Sequence, residues 1–139
     1  MTSVLRLSEA LVLGLHTLGL LARHPGHTWL NAQIAAKLQC SANTLAKVLQ
    51  ALVRAGFVKS RRGPCGGFVL ARAPAEISLL AVFEALEGRV DSHACLLGGK
   101  SSCRFRRCLL GDLVGRVNTL VHDTLAQQSL AELAAGMNL

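Results

Sequence analysis

Three cysteines lie close together in the second half of the chain, in the pattern Cys95-x7-Cys103-x4-Cys108. The surrounding segment, residues 89–108, contains a glycine pair and no usable apolar period, so it is predicted to be a loop. Such a loop is flexible enough to place three thiolates around a soft metal centre. Three thiolates leave one position of a four-coordinate centre for a weaker ligand.

The candidates for that fourth ligand are His16, His93 and nearby carboxylates. His16 interrupts an aliphatic run, and two interpretations are open: a core histidine hydrogen-bonded to the backbone, or a metal ligand. The cysteine trio itself fits a soft metal centre, a Cys3His zinc site, thiol-based redox sensing or structural thiols. The three arginines between residues 103 and 108 would lower the pKa of the thiols and offset the charge of an anionic centre.

The chain has five cysteines, and its apolar run at residues 10–22 does not fit a secretory signal, because Glu9 rather than a basic segment precedes it. An odd number without such a signal is typical of a reducing compartment, so we expect a cytoplasmic protein. Cys40 is predicted to be a small buried hydrophobe. Cys65 is predicted to be exposed, and beside Arg61 and Arg62 it is a candidate reactive thiolate.

The charge is unevenly distributed along the 139 residues, which carry a net +7. Residues 10–75 contain eight lysines and arginines and no carboxylate, whereas residues 76–139 contain six bases and seven acids. An acid-free half does not repel a polyanion, and a polyphosphate binds it through counterion release. The alternative is that the charges only solvate the surface.

The size and composition limit the classes of protein. With 51% hydrophobic and few aromatic residues, the chain is predicted to be one small, mainly helical domain rather than a multidomain enzyme. The apolar run at residues 10–22 is too short to span a membrane, so no membrane partner is expected. Because no nucleophile–base constellation or separate substrate pocket is evident, we expect neither an enzyme nor a small-molecule substrate.

Hydrophobic spacing predicts a helix over residues 7–23, a short one over 31–38, and a third, capped by Ser41, that runs to Ala55. Two helices joined by a turn of about three residues form a helix-turn-helix. Two β-type runs around a basic, glycine-rich tip then predict a hairpin over residues 57–71. The fold class is therefore a winged helix-turn-helix, mainly α with a small β wing.

The remaining periodic segments are a short helix at residues 77–86 and a long one at 109–125. A long helix at the end of so small a domain usually packs on a partner chain. We therefore divide the chain into a winged-helix DNA-binding domain (1–88), a cysteine loop (89–108) and a dimerisation helix with a C-terminal tail (109–139).

The candidate DNA contacts lie in two places. The first turns of the third helix can reach base edges in the major groove, and the wing can contact phosphates and the adjacent minor groove. Glycines at the wing tip allow close backbone approach and free N–H groups. The predicted contacts are Ser41, Asn43, Thr44, Lys47, Lys59, Arg61, Arg62 and Gly66.

Three stretches carry a resemblance to a known family. They are residues 41–58 (SANTLAKVLQALVRAGFV), residues 60–72 (SRRGPCGGFVLAR) and, between residues 76 and 88, EISL followed by EALEG. With this combined pattern the chain resembles the Rrf2 family of bacterial winged-helix transcription regulators over nearly its whole length. Cys65 departs from the family pattern, which commonly has a further glycine there.

The resemblance implies a homodimer, bound to a double-stranded DNA operator, whose long C-terminal helices cross. It also implies an iron–sulfur cluster, of the 2Fe–2S or 4Fe–4S type, on Cys95, Cys103 and Cys108. His16 stands where some members reach the partner subunit's cluster. The expected function is a regulator that senses iron, redox state, oxygen or nitric oxide. The alternatives are a cluster-free thiol or zinc regulator, a small metal-centre enzyme and a protein-interaction module.

Overall fold

A computed structural model of the chain describes residues 3, 5–90, 104, 106, 108 and 110–138. The described part is mainly helical with one two-stranded antiparallel hairpin, which confirms the predicted fold class. Its elements are α1 (Glu9–Arg23), α2 (Asn31–Leu38), α3 (Ala42–Arg54), β1 (Val58–Arg61), β2 (Gly67–Leu70), a 3-10 turn (Pro74–Glu76), α4 (Leu79–Glu87), α5 (Gly111–Ala126) and α6 (Leu130–Ala135).

Helix α1 is the centre of the domain and contacts α2, α3, α4, α6 and β2. Eight of its 15 residues are buried because its sequence is apolar on nearly every side. It begins at Glu9, two residues later than predicted, because the Ser8 hydroxyl accepts the N–H of Leu11 and caps the helix there. Gly14 lets Leu86 of α4 pack closely against α1, since a Cβ at this position would lie 2.5 Å from Leu86 Cδ1.

The helix-turn-helix consists of α2, a turn and α3. Gln39 ends α2 in the left-handed conformation, with φ 53° and ψ 45°, which reverses the chain within three residues. Asn31 Nδ2 donates to the carbonyl of Ala42 at 3.1 Å and ties the starts of the two helices together. Leu45, Val48, Leu49 and Leu52 of α3 are buried, as predicted, and fix which face of the helix points outward.

The segment before α2 pairs with strand β2 of the wing. In the hairpin, Val58 pairs with Leu70 and Arg61 with Gly67. Trp29 adds a single antiparallel bridge: its N–H donates to the Phe68 carbonyl at 3.0 Å, and the Phe68 N–H donates to the Trp29 carbonyl at 2.7 Å. Gly67 permits this contact, since a Cβ there would lie 2.5 Å from the Trp29 carbonyl oxygen.

The short helix α6 packs against α1 and the 3-10 turn, although these residues were predicted to be a tail. Leu130 is fully buried and Ala134 nearly so. A bridge between Ser78 and Ser129 holds the start of α6 beside that of α4, with the Leu130 N–H donating to the Ile77 carbonyl at 2.8 Å. The chain therefore returns to the winged-helix core after α5.

Helix α5 differs from the others because none of its residues is buried. It contacts α4, yet Leu113 and Leu120 are 53% and 68% exposed. It runs from residue 111 to 126, close to the predicted 109–125. Among the described residues, no helix is both long and apolar enough to cross a lipid bilayer.

Candidate nucleic-acid interface and cysteine centre

The first turns of α3 present the predicted base-reading side chains. Ser41, Asn43 and Lys47 are exposed, and Thr44 is half-buried. Ser41 occupies the predicted N-cap position of α3, but its side chain makes no capping hydrogen bond. Its hydroxyl does not contribute to the helix end. The outward face of α3 therefore begins with short polar side chains, the type that reads base edges.

The wing presents three exposed cations, Lys59, Arg61 and Arg62. The amide of Gly66, predicted to be available to a phosphate, instead donates to the carbonyl of Gly63 at 2.9 Å. A Cβ at Gly66 would lie 2.7 Å from the Arg61 carbonyl oxygen. Gly66 thus shapes a tight tip that carries the two arginines and does not itself offer a free donor.

Two of the eight cations in the acid-free region act inside the domain. A guanidinium nitrogen of Arg23 donates to the carbonyls of Ala134, at 3.4 Å, and Met137, at the end of α6. A guanidinium nitrogen of Arg72 donates to the Glu76 carbonyl at 3.3 Å. The other six are exposed, and no described carboxylate lies within 4 Å of them. These free cations are Lys37, Lys47, Lys59, Arg54, Arg61 and Arg62.

Of the predicted metal ligands, the structure places Cys108 and His16. Cys108 is a free, exposed thiol that lies three residues before α5. Cys95, Cys103 and the alternative ligand His93 lie outside the described residues. Among the residues that are described, no three His, Cys, Asp or Glu side chains cluster as a metal site. The geometry of the cysteine trio is therefore still a prediction.

His16 is exposed on α1 and is not the core histidine that was one of its two interpretations. Its Nδ1 lies 2.7 Å from the carbonyl oxygen of Val12. Because a carbonyl can only accept, Nδ1 carries the proton in this contact, and Nε2 of the neutral ring keeps its lone pair. The side chain is thus oriented by the backbone with one nitrogen available to a ligand.

Of the other two described cysteines, Cys65 is exposed as predicted, whereas Cys40 is less buried than predicted. Cys40, in the turn before α3, is partly buried against the core, and Cys65 is exposed at the wing tip. Sequence reasoning missed a group below the wing: the rings of His24 and His27 meet Trp29 edge-on, with centroids 5.5 and 4.6 Å away. The signal was present, since the only tryptophan of the chain stands two residues after a histidine.

A helix-turn-helix with an exposed polar recognition face, followed by a basic hairpin, defines the winged-helix class of DNA-binding transcription regulators. The family model of Rrf2, described as iron-dependent transcriptional regulator, matches residues 7–136. The chain belongs to the Rrf2 family. Its members are transcription regulators and not enzymes.

Individual relatives agree with this assignment. The helix-turn-helix regulator YffB of Lactococcus lactis is 34% identical over 136 residues, covering 94% of this chain and 87% of its own. The regulator IscR of Erwinia tasmaniensis is 34% identical over 103 residues, which are 73% of this chain and 61% of that protein. The solved structure of CymR, the global cysteine regulator of Bacillus subtilis, superposes with a TM-score of 0.79 at 26% identity, covering 97% of this chain and all of that one.

Proposed function

We propose that this protein is a homodimeric Rrf2-type regulator that binds a double-stranded DNA operator and senses iron, redox state, oxygen or nitric oxide through an iron–sulfur cluster. The observation that carries the proposal is the position of Cys108: an exposed thiol of the cysteine trio lies three residues before α5, which alone among the described α-helices has no buried residue. Sensing and assembly therefore meet at one point of the chain. The protein acts in the cytoplasm, where a bacterial operator lies.

DNA binding rests on α3 and the wing. Ser41, Asn43, Thr44 and Lys47 enter the major groove, where Asn43 is suited to adenine. Lys59, Arg61 and Arg62 bind phosphates, and the tip enters the adjacent minor groove. The six cations without a carboxylate partner among the described residues support this role, because none of their charge is neutralised within that part of the chain.

Dimerisation rests on α5 and commits to a second copy of this chain. Leu113 and Leu120 stand on one side of the helix, with Val117 between them, and the monomer leaves both leucines more than half exposed. A stripe of this kind is stable in water when a second copy of the helix covers it. Two recognition helices in a two-fold dimer then meet half-sites about one DNA turn apart.

The donor set fits an iron–sulfur cluster. Cys95, Cys103 and Cys108 would provide three thiolates, the ligands that such clusters prefer, and His16 of the partner subunit would provide the fourth ligand through Nε2. When bound, the cluster supplies redox chemistry and a weakly held position that small oxidants or iron loss disturb. The Gly111 N–H donates to the Cys108 carbonyl, with 3.5 Å between N and O. The position of Cys108 therefore bears directly on the first turn of α5 and, through α5, on the spacing of the two α3 helices.

A second candidate is a cluster-free regulator that senses through its thiols or through zinc. It is favoured by the likeness to CymR, whose structure is described as that of a cysteine regulator. Both candidates share the DNA interface and the α5 dimer. Metal content separates them, since only the first requires iron and sulfide.

The test is purification under strict anaerobiosis, followed by an absorbance spectrum and a count of iron and acid-labile sulfide. We expect visible absorbance with iron and sulfide in comparable amounts. Cys95→Ala, Cys103→Ala and Cys108→Ala should each abolish it, whereas Cys40→Ala, which changes a thiol of the turn before α3, should retain it. Unchanged absorbance in all three variants would overturn the cluster, and zinc without iron in the wild type would establish the second candidate.

A further inference from the structure

A small cavity lies between the loop that joins α1 to α2 and the base of the wing. Its volume is about 250 Å³. Its apolar wall includes Leu21 from the end of α1 together with Val69 and Leu70 from β2. Of the residues proposed to contact DNA or the cluster, only Arg61 lines this cavity.

The ionisable side chains around the cavity are all basic, so each of them is positively charged or becomes so when protonated. They belong to Arg61, Arg72, His24 and His27, which are all among the lining residues. No carboxylate is among the residues that line it. Arg72 is held beside the 3-10 turn by its bond to the Glu76 carbonyl, away from the wing tip. The cavity is therefore built to attract an anion.

The other side of the same loop has a donor without an acceptor. Trp29 is 9% exposed, and its indole Nε1 has no hydrogen-bond partner in the described part of the chain. Together with His24, Pro25 and His27, Trp29 lines a shallower depression next to the cavity. An indole nitrogen can only donate. The Trp29 indole thus faces the neighbouring depression rather than the cavity itself, and His24 and His27 line both.

We propose that this cavity binds a small organic carboxylate and that its occupation competes with DNA for Arg61. Carboxylates match the planar guanidinium group in geometry, and the aliphatic wall favours a ligand with a carbon skeleton over a bare inorganic ion. A cavity of this volume holds several water molecules, so it admits a small organic molecule. A four-carbon dicarboxylate is such a molecule and has acceptors at both ends.

The competition with DNA rests on the proposed function, because it requires that Arg61 contacts DNA. A guanidinium group turned into the cavity is withdrawn from the wing surface. Ligand and DNA must then weaken one another by the same factor. Ligand binding alone requires no DNA, so the two parts of the proposal fail separately.

The first experiment uses the single tryptophan as a reporter. Because His24 and His27 touch both the cavity and the Trp29 ring, ligand binding should change the tryptophan fluorescence. Succinate is titrated into the full chain at pH 7 and constant ionic strength, with inorganic phosphate in a parallel series. We expect a saturable change with succinate and a dissociation constant at least about tenfold weaker in Arg72→Gln and in Arg61→Gln.

The control is Arg54→Gln, which removes an exposed cation at the end of α3 that does not line the cavity. It should bind succinate within about twofold of the wild type, and thermal midpoints should show that all variants are folded. The cavity proposal is overturned if succinate gives no saturable change, if phosphate binds as well as succinate, or if Arg54→Gln weakens binding as much as Arg72→Gln.

The second experiment measures DNA affinity by fluorescence anisotropy with and without saturating succinate. We expect weaker DNA binding in the wild type and no effect of succinate in Arg72→Gln. If succinate does not change the DNA affinity of the wild type, the competition is overturned. The fluorescence titration then still tests whether the cavity binds succinate. If Arg72→Gln without succinate loses as much DNA affinity as Arg61→Gln, the cations serve the DNA backbone and the proposal is wrong. Absence of any DNA binding refutes the proposed function instead.

Discussion

The winged-helix half and helix α5 differ in how much of their apolar surface the chain itself buries. In the first, α1 is surrounded by α2, α3, α4, α6 and the wing, and residues such as Leu18, Ile34 and Leu52 are fully buried. In α5 no residue is buried, and Leu120 is 68% exposed. The first region is complete within one chain, whereas the second is complete only when something covers it.

The contrast suits two different tasks: the winged-helix half is built to recognise DNA, and α5 is placed to transmit a signal to it. A region with its own core can hold α3 and the wing rigid, which base reading requires. In the proposed dimer, a second copy of α5 would cover its apolar face, and a change at Cys108, three residues before the helix, would then be felt at that interface. If α5 were packed into the same rigid core as α3 and the wing, it could not move in response to a signal.

The largest effect is expected from breaking the α5 side of this contrast. Leu120→Arg should convert the dimer to a monomer and weaken binding to a two-half-site DNA by about a hundredfold or more, because the second half-site is lost. Analytical ultracentrifugation and fluorescence anisotropy measure the two outcomes. The variant should stay folded, because Leu120 contributes little to the core of its own chain, and its thermal midpoint should fall only by the stabilisation that the dimer contact supplied.

The matched control is Ala126→Arg, an exposed position about 120° away around the helix. It should remain dimeric with wild-type DNA affinity. If Leu120→Arg is also dimeric, α5 is not the interface and the contrast between the two regions loses its meaning.

A smaller loss should follow from removing the wing charges. Arg61→Gln combined with Arg62→Gln should weaken DNA binding by about thirtyfold and lower the slope of log affinity against log salt concentration by about two. Arg116→Gln is the control, since this α5 residue is exposed and faces Asp112 at 3.9 Å. An unchanged salt slope in the wing variant would show that the wing does not touch phosphates.

The rigidity of the recognition half can be tested at Gly67. An alanine there would need φ near 141° and would place its Cβ 2.5 Å from the Trp29 carbonyl oxygen. We expect Gly67→Ala to destabilise the fold by about 2–3 kcal/mol, measured by thermal or urea unfolding. Gly26→Ala has φ 83° but open space and should cost only about 1 kcal/mol. Equal losses in the two variants would contradict a close contact between Trp29 and the wing.

The smallest effect concerns the return of the chain at α6. The backbone N–H and the hydroxyl of Ser129 donate to the Glu132 carboxylate and lower its pKa below the ordinary 4.5. A lowered pKa contributes stability above 4.5 that is lost as pH falls through the folded-state value. The stability advantage of wild type over Glu132→Gln should therefore be present at neutral pH and vanish in acid. An advantage that is the same in acid would exclude this charge-dependent cap.

The sequence predicted elements whose signals are local. The spacing of Leu45, Val48, Leu49 and Leu52 was enough to predict α3 and its buried face, and the Gly-Pro tip was enough to predict the hairpin. Helix α6 was missed because six residues give too little periodicity, although Ser129-x-x-Glu132 is a capping-box pattern.

Interactions between distant segments could not be predicted in this way. Arg23 was counted as a surface charge, yet it binds the Met137 carbonyl 114 positions away. The burial of His16 was open for the same reason, because exposure depends on which elements surround α1. The ligand residues Cys95 and Cys103 stay predictions from pattern and family resemblance alone.

The link between the cysteine centre and DNA can be measured directly. One anaerobic preparation is assayed for DNA affinity before and after its iron is removed by a chelator, in the wild type and in Cys108→Ala. We predict that iron removal changes the affinity of the wild type by at least about tenfold and leaves that of Cys108→Ala unchanged. A wild-type protein that loses its iron and keeps the same DNA affinity would contradict sensing through this centre.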